Sequence, residues 1–135
     1  MMATALYTVV DLRSRRLRTS CSGHLPPLLL HGDSVSLLEC DSTIPLLLTN
    51  VPTFPCVERS ISPGDRVLFY TDGITEREDY AGNMYEIHRL MNAFHGLRAA
   101  SGQELIDALV ADVARFAGRR EPADDQTLLL MTVRD

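Results

Sequence analysis

The sequence has no long apolar run, no block of basic residues and no pair of cysteines at metal-ligand spacing. Each absence removes a class of function. A bilayer span needs about 20 consecutive apolar residues. The longest apolar stretches, residues 25–30 and 44–48, are shorter and interrupted by proline. Residues 3–11 read as a strand, so no secretory leader is expected. Net charge is −5 with no dominant Lys/Arg run, which argues against nucleic acid or an anionic membrane as partner. Arg13, Arg15, Arg16 and Arg18 form a local basic cluster, read as a solvated hairpin tip, with an anion contact as the alternative. Three cysteines, Cys21, Cys40 and Cys56, make no CxxC pair. An odd count without metal spacing points to reduced thiols in a cytoplasmic protein. Repeats and low-complexity segments are also lacking.

What is present suffices for one domain, residues 1–135, with 45% hydrophobic content. The most informative stretch runs from Ser62 to Glu76. Pro63 and Gly64 make a turn, and Val67-Leu68-Phe69-Tyr70 follows as a short β-prone run between turn signals. Such a run predicts a strand buried on both faces. It stops at Asp72-Gly73, a carboxylate followed by a glycine that lets backbone approach closely. Alone, this pair also fits an ordinary Asp-Gly turn. A second segment changes the weighting: Ala123-Asp-Asp-Gln-Thr places two acids directly before the apolar strand 128–133. If the two strands are antiparallel neighbours, Asp72, Asp124 and Asp125 share one rim of one sheet. Clustered carboxylates offer oxygen ligands to a hard cation, Mg²⁺ or Mn²⁺.

The rest of the chain sets the architecture. A hairpin is expected over 3–22, broken by Ser22-Gly23-His24. Pro26-Pro27 forces extended backbone before Leu28-Leu29-Leu30. A turn at 31–34, a short strand at 35–38, an irregular surface connection over 39–55 and a strand at 56–61 follow. His24 reads either as a ligand or general acid beside a phosphate, or as a hydrogen-bonded structural residue, and the structural reading is favoured. Residues 74–83 form a polar loop, in which Glu76, Glu78 and Asp79 are either additional carboxylates near a cation or solvated side chains. Met84, Ile87, Met91 and Phe94 recur at helical spacing. Ser101 and Glu104 make a capping box, Leu105 to Ala117 an amphipathic helix, and Gly118 its end. Strands, then two helices, then one strand give an α+β domain with helices on one sheet face.

Three motifs in register, Ser22-Gly-His-Leu-Pro-Pro, Pro63-Gly-Asp-Arg-Val-Leu-Phe-Tyr-Thr-Asp-Gly-Ile-Thr-Glu and Ala123-Asp-Asp-Gln-Thr-Leu, resemble the bacterial stage II sporulation protein E-like phosphatases of the PPM (protein phosphatase 2C) superfamily. The resemblance covers nearly the whole chain. It implies an incomplete α-β-β-α sandwich, mostly antiparallel, cut at its N-terminal side. By motif, Asp72, Gly73 and Asp124 fall at metal-ligand positions, Asp125 beside them or as an alternative ligand, and Gly23-His24 in a structural motif. The implied chemistry is two-metal hydrolysis of phosphoserine or phosphothreonine by an activated water, with no side-chain nucleophile. The implied substrate is a phosphorylated protein, an anti-sigma-factor antagonist, and the function sigma-factor regulation. The family's upstream metal-ligand motifs have no match here. Glu86 stands where the family often has glycine. Two readings therefore compete: a serine/threonine phosphatase domain with part of its site, weak alone, and a non-catalytic regulatory module that keeps the fold. A generic interaction domain is a third. Surface left bare by absent elements should be covered by a complementary N-terminal segment or by a second copy.

Overall fold

The computed structural model describes residues 3–40, 44–46 and 54–135. The expected connection over 39–55 falls largely outside them. A hairpin of β1 (Ala5–Asp11) and β2 (Arg16–Ser22) begins the fold. Asp11 closes its turn, the Oδ1 atom accepting the Arg13 and Ser14 amides at 2.9 and 3.1 Å, an Asx turn. β5 (Val57–Ser60) pairs with the other edge of β2, giving a three-stranded antiparallel sheet β1-β2-β5. The second sheet has the order β4-β3-β6-β7, built from β3 (Leu28–His31), β4 (Ser34–Leu37), β6 (Arg66–Tyr70) and β7 (Leu128–Thr132), with every pairing antiparallel.

Strand alternation divides the apolar residues between two cores. Leu17, Leu29, Leu38, Ile61 and Val67 pack between the sheets. Leu28, Leu30, Leu68 and Tyr70 face the other way, onto Leu90 and Phe94 of α2 (Glu86–Gly96) and Leu105, Leu109 and Val113 of α3 (Gly102–Ala117). Among the described residues the layers are therefore sheet, sheet and helix pair. The outward face of the first sheet carries Tyr7 and Val9, both exposed. Arg16 and Arg18 also lie there, and each pairs with Glu58 on β5. Arg13, Arg15, Arg16 and Arg18 are all exposed around the β1–β2 turn.

Both ends of α3 are as the sequence implies. The Ser101 side chain accepts the Glu104 amide while Glu104 reaches back to the Ser101 amide. Gly118 follows α3 at φ 64°. One position breaks a local rule. Glu86 starts α2 at φ 65°, a left-handed conformation that costs a non-glycine residue roughly 1–2 kcal/mol. That strain is the physical reason glycine suits this position. Glu86→Gly is expected to raise stability by about 1 kcal/mol in urea unfolding; unchanged or lower stability would show that its neighbours have absorbed the strain.

Candidate metal-site rim

The register of β6 on β7 pairs Tyr70 with Leu128. The residue after β6 therefore meets the residue before β7, and Thr71 stitches the two together. Its amide donates to the Thr127 carbonyl at 3.2 Å, its hydroxyl donates to the Asp125 carbonyl at 3.1 Å, and its Oγ1 accepts the Thr127 amide at 3.1 Å. Antiparallel adjacency, an assumption at the level of sequence, is thus present. It carries Asp72 and the Asp124-Asp125 pair to the same end of the second sheet.

Sequence reasoning ended the strand in a turn and a polar loop. The structure inserts one helical turn, α1 (Asp72–Thr75), with Thr71 at its N-cap and Asp72 as its first residue. The Asp72 carboxylate accepts the amide of Gly73 at 2.9 Å. Gly73 is buried against the opposite loop. A Cβ added there would lie 2.2 Å from the Asp125 carbonyl oxygen and 2.9 Å from its carbon. Glycine is required here for close approach, with no left-handed φ involved. The Gly73 carbonyl accepts Gln126 Nε2 at 3.0 Å, which engages one of its two lone pairs. Asp124 caps its own loop, accepting the Asp125 amide at 2.7 Å. The three carboxylates remain exposed.

Beside this rim lies a cleft of 160 Å³ lined by Gly73, Asp124, Arg77 and Arg120, with Glu76 and Glu78 at its edge. Arg77 is buried and donates from Nη2 to the Arg120 carbonyl. Arg120 in turn donates to the Asp79 carbonyl at 2.9 Å and pairs with Glu78. These two arginines clasp the loop that delivers Asp124 to the loop that follows α1. Sequence reasoning missed them, and it missed Gln126. Gln126 lies inside the Ala123-Asp-Asp-Gln-Thr motif, whereas nothing in the local sequence marks Arg77 as buried. Glu78 and Asp79 have structural work. Asp79 accepts the side chain of Asn83 at 2.9 Å and the Ala81 amide at 2.8 Å. The Asn83 side-chain bond is the largest of the effects that hold its carboxyl below the usual carboxylate range.

Gly23 directly follows β2, and His24 is among the residues lining the cleft between the two sheets. Gly23 has φ 64°, and a Cβ there would fall 2.6 Å from Pro45 Cγ. His24 is bonded through Nδ1 to the Leu25 carbonyl oxygen at 2.9 Å. Local structure thus occupies both.

The donor set at the rim is all oxygen, which suits Mg²⁺ or Mn²⁺. The Gly73 cradle brings the two carboxylate-bearing segments into backbone contact. Among the described residues, however, no group of three or more His, Cys, Asp or Glu side chains is arranged to hold an ion. The residues fit a hard cation as part of a ligand set.

Comparison with known proteins agrees with the architecture. The family model for Stage II sporulation protein E (SpoIIE) matches residues 1–134. Protein IcfG of Synechocystis sp. is 25% identical over 130 residues, covering 96% of this chain and 20% of that protein. The SiaA-PP2C domain of Pseudomonas aeruginosa superposes with a TM-score of 0.85 at 21% identity, over 96% of this chain and 51% of that one. The SpoIIE phosphatase domain from Bacillus subtilis gives 0.76 at 21% identity, over 98% and 59%. A Mycobacterium tuberculosis structure of RsbU and RsbW domains gives 0.77 at 29% identity, over 97% and 36%. This chain thus spans one fifth of the curated relative and 36–59% of these solved chains. The family model spans residues 1–134, so the chain belongs to the SpoIIE family, and it has the PP2C-type phosphatase fold.

Proposed function

We propose that this chain is the C-terminal part of a metal-dependent protein serine/threonine phosphatase domain, with Asp72 and Asp124 as carboxylate ligands of Mn²⁺ or Mg²⁺. Gly73 contributes its remaining carbonyl lone pair, and Asp125 stands beside them or substitutes. The observation that carries this reading is the β6–β7 pairing, which sets Asp72 and Asp124-Asp125 at one sheet end with Gly73 against the Asp125 backbone. A bound divalent cation supplies Lewis-acid activation of water and neutralises phosphoryl oxygens. The chain's own residues do the positioning. Thr71 and Gln126 lock the two loops, the Gly73 cradle sets their separation, and the Arg77–Arg120 clasp fixes the cleft wall. No side-chain nucleophile is needed.

The substrate is a phosphorylated protein, an anti-sigma-factor antagonist in the family's manner, and the setting is cytoplasmic, in keeping with three free cysteines. Much of each solved relative lies outside the matched region. That portion, or a second copy, is proposed to cover the cleft of 430 Å³ between the sheets, where Leu6, Val10, Phe69, Leu129 and Met131 line the wall. A specific observation favours the second reading, a regulatory module without catalysis: the absence among the described residues of a three-ligand cluster.

Calorimetric titration with Mn²⁺ and hydrolysis of a phosphoserine peptide separate the two. The wild-type chain is expected to bind Mn²⁺ weakly, and Asp72→Asn to lower that affinity by about tenfold, the lower end of what loss of a supporting group costs a metal site. Hydrolysis should be near background and rise when the remaining part of a SpoIIE domain is supplied covalently or in trans. Robust metal-dependent turnover by the 135 residues, abolished by Asp72→Asn, would show that the site is already complete. Equal turnover in wild type and Asp72→Asn would remove Asp72 from the mechanism. No turnover even with the remaining part of the domain supplied would leave the regulatory module.

A further inference from the structure

A second, more apolar groove of 440 Å³ lies beyond α1, walled by Leu25, Pro26, Met84 and Ile87, with Glu76 and Glu86 among its lining residues. It is continuous with the candidate site, because Glu76 and Met84 also line the cleft that holds Gly73 and Asp124. Its walls are fixed: Pro26 has a locked φ, Met84 bridges back to Glu78, and Ile87 packs on the helix-side core. Met84 nevertheless stays 47% exposed. Glu86 holds a left-handed backbone at the groove's edge, a local cost of the kind that functional sites retain.

We propose that this groove receives a substrate polypeptide segment carrying an apolar side chain beside an arginine or lysine. The apolar side chain fills the space between Met84, Ile87 and Pro26, and the basic group meets Glu76 and Glu86. Two carboxylates, Glu76 and Glu86, line the groove against the single imidazole of His88, so the groove selects against an acidic flank. The inference rests on the phosphatase reading, since it takes the segment to be the flank of a phosphoserine presented at the rim.

The test uses the full chain, methyl-labelled for NMR, without metal, and short unphosphorylated peptides of equal length containing Leu-Arg, Ala-Arg or Leu-Glu. Leu-Arg is expected to shift the methyls of Leu25, Met84 and Ile87. The Ala-Arg peptide should bind about tenfold more weakly for loss of apolar burial. Leu-Glu, and Leu-Arg on Glu86→Gln, should each bind about threefold more weakly, as for an exposed ion pair. Met84→Ser changes an exposed side chain and should weaken Leu-Arg binding without unfolding the domain. Equal binding of Leu-Glu and Leu-Arg, or shifts confined to other surfaces, would overturn the proposal. Groove shifts that grow with protein concentration in the absence of peptide would assign it to self-association and also overturn it. No metal or hydrolysis enters this measurement, so failure of the phosphatase reading shows in the Mn²⁺ and hydrolysis assays, whereas failure of the groove shows here.

Discussion

Gly73→Ala is expected to destabilise the domain by about 3 kcal/mol, the upper range for overpacking a site that cannot relax cheaply. The obstacle is backbone of the Asp124–Asp125 segment. An added methyl would sit 2.2 Å from the Asp125 carbonyl oxygen and 3.4 Å from the Asp124 carbonyl carbon. No side-chain rotation relieves such contacts. The loop before β7 must move away, and it is held by the Thr71 hydroxyl, the Thr71 Oγ1 acceptor and Gln126. At least some of these bonds must be lost. Each net hydrogen bond contributes about 1 kcal/mol. Chemical unfolding measures the loss, and Mn²⁺ titration should show affinity falling with it, because the same movement separates Asp72 from Asp124. Gly96→Ala is the control. Gly96 is the last residue of α2, with no left-handed φ and nothing within 4 Å of its added Cβ, so it should gain about 0.4–1 kcal/mol, chiefly from the lower entropy of the unfolded chain. A Gly73→Ala protein as stable as wild type, with unchanged Mn²⁺ binding, would mean that the two loops are not in close contact.

What the sequence made legible follows from how local each cause is. The capping box at Ser101 and Glu104 and the glycine at 118 satisfy groups within one turn, so four residues suffice to read them. The rim was legible because Asp72 and Asp124-Asp125 each adjoin a buried apolar strand, which leaves only the pairing of the strands unknown. The two sheets came from the family resemblance, not from the strand pattern. Strand alternation shows that Leu17 and Leu68 are buried, but it does not show that they serve different cores. The one-turn α1 was hidden by Asp72-Gly73, which is equally a turn signal. Long-range partners were the least visible. Arg77 looks like any charged loop residue, and its burial depends on a carbonyl 43 positions away.

Arg77→Met, the second large effect, is expected to cost about 2 kcal/mol. Methionine preserves much of the apolar stem, so the loss isolates the guanidinium. That group donates to the Arg120 carbonyl, and a hydrogen bond from a charged donor is worth about 1.5–3 kcal/mol. The bond spans the cleft wall next to Asp124, so its removal should also loosen the loop that presents that carboxylate and weaken Mn²⁺ binding. Arg120→Ala provides the comparison. It keeps the backbone carbonyl that Arg77 uses and removes only the contacts of the Arg120 side chain to Asp79 and Glu78. That side chain is 41% exposed, where solvent screening limits an ion pair to about 0–1 kcal/mol. Arg77→Met should therefore be the more damaging of the two, both in unfolding and in Mn²⁺ titration. If Arg120→Ala costs as much as Arg77→Met, the clasp acts through the Arg120 side chain and its acidic partners, and the buried bond from Arg77 contributes little. If neither variant changes Mn²⁺ affinity while both lower stability, the clasp holds the fold together without setting the rim.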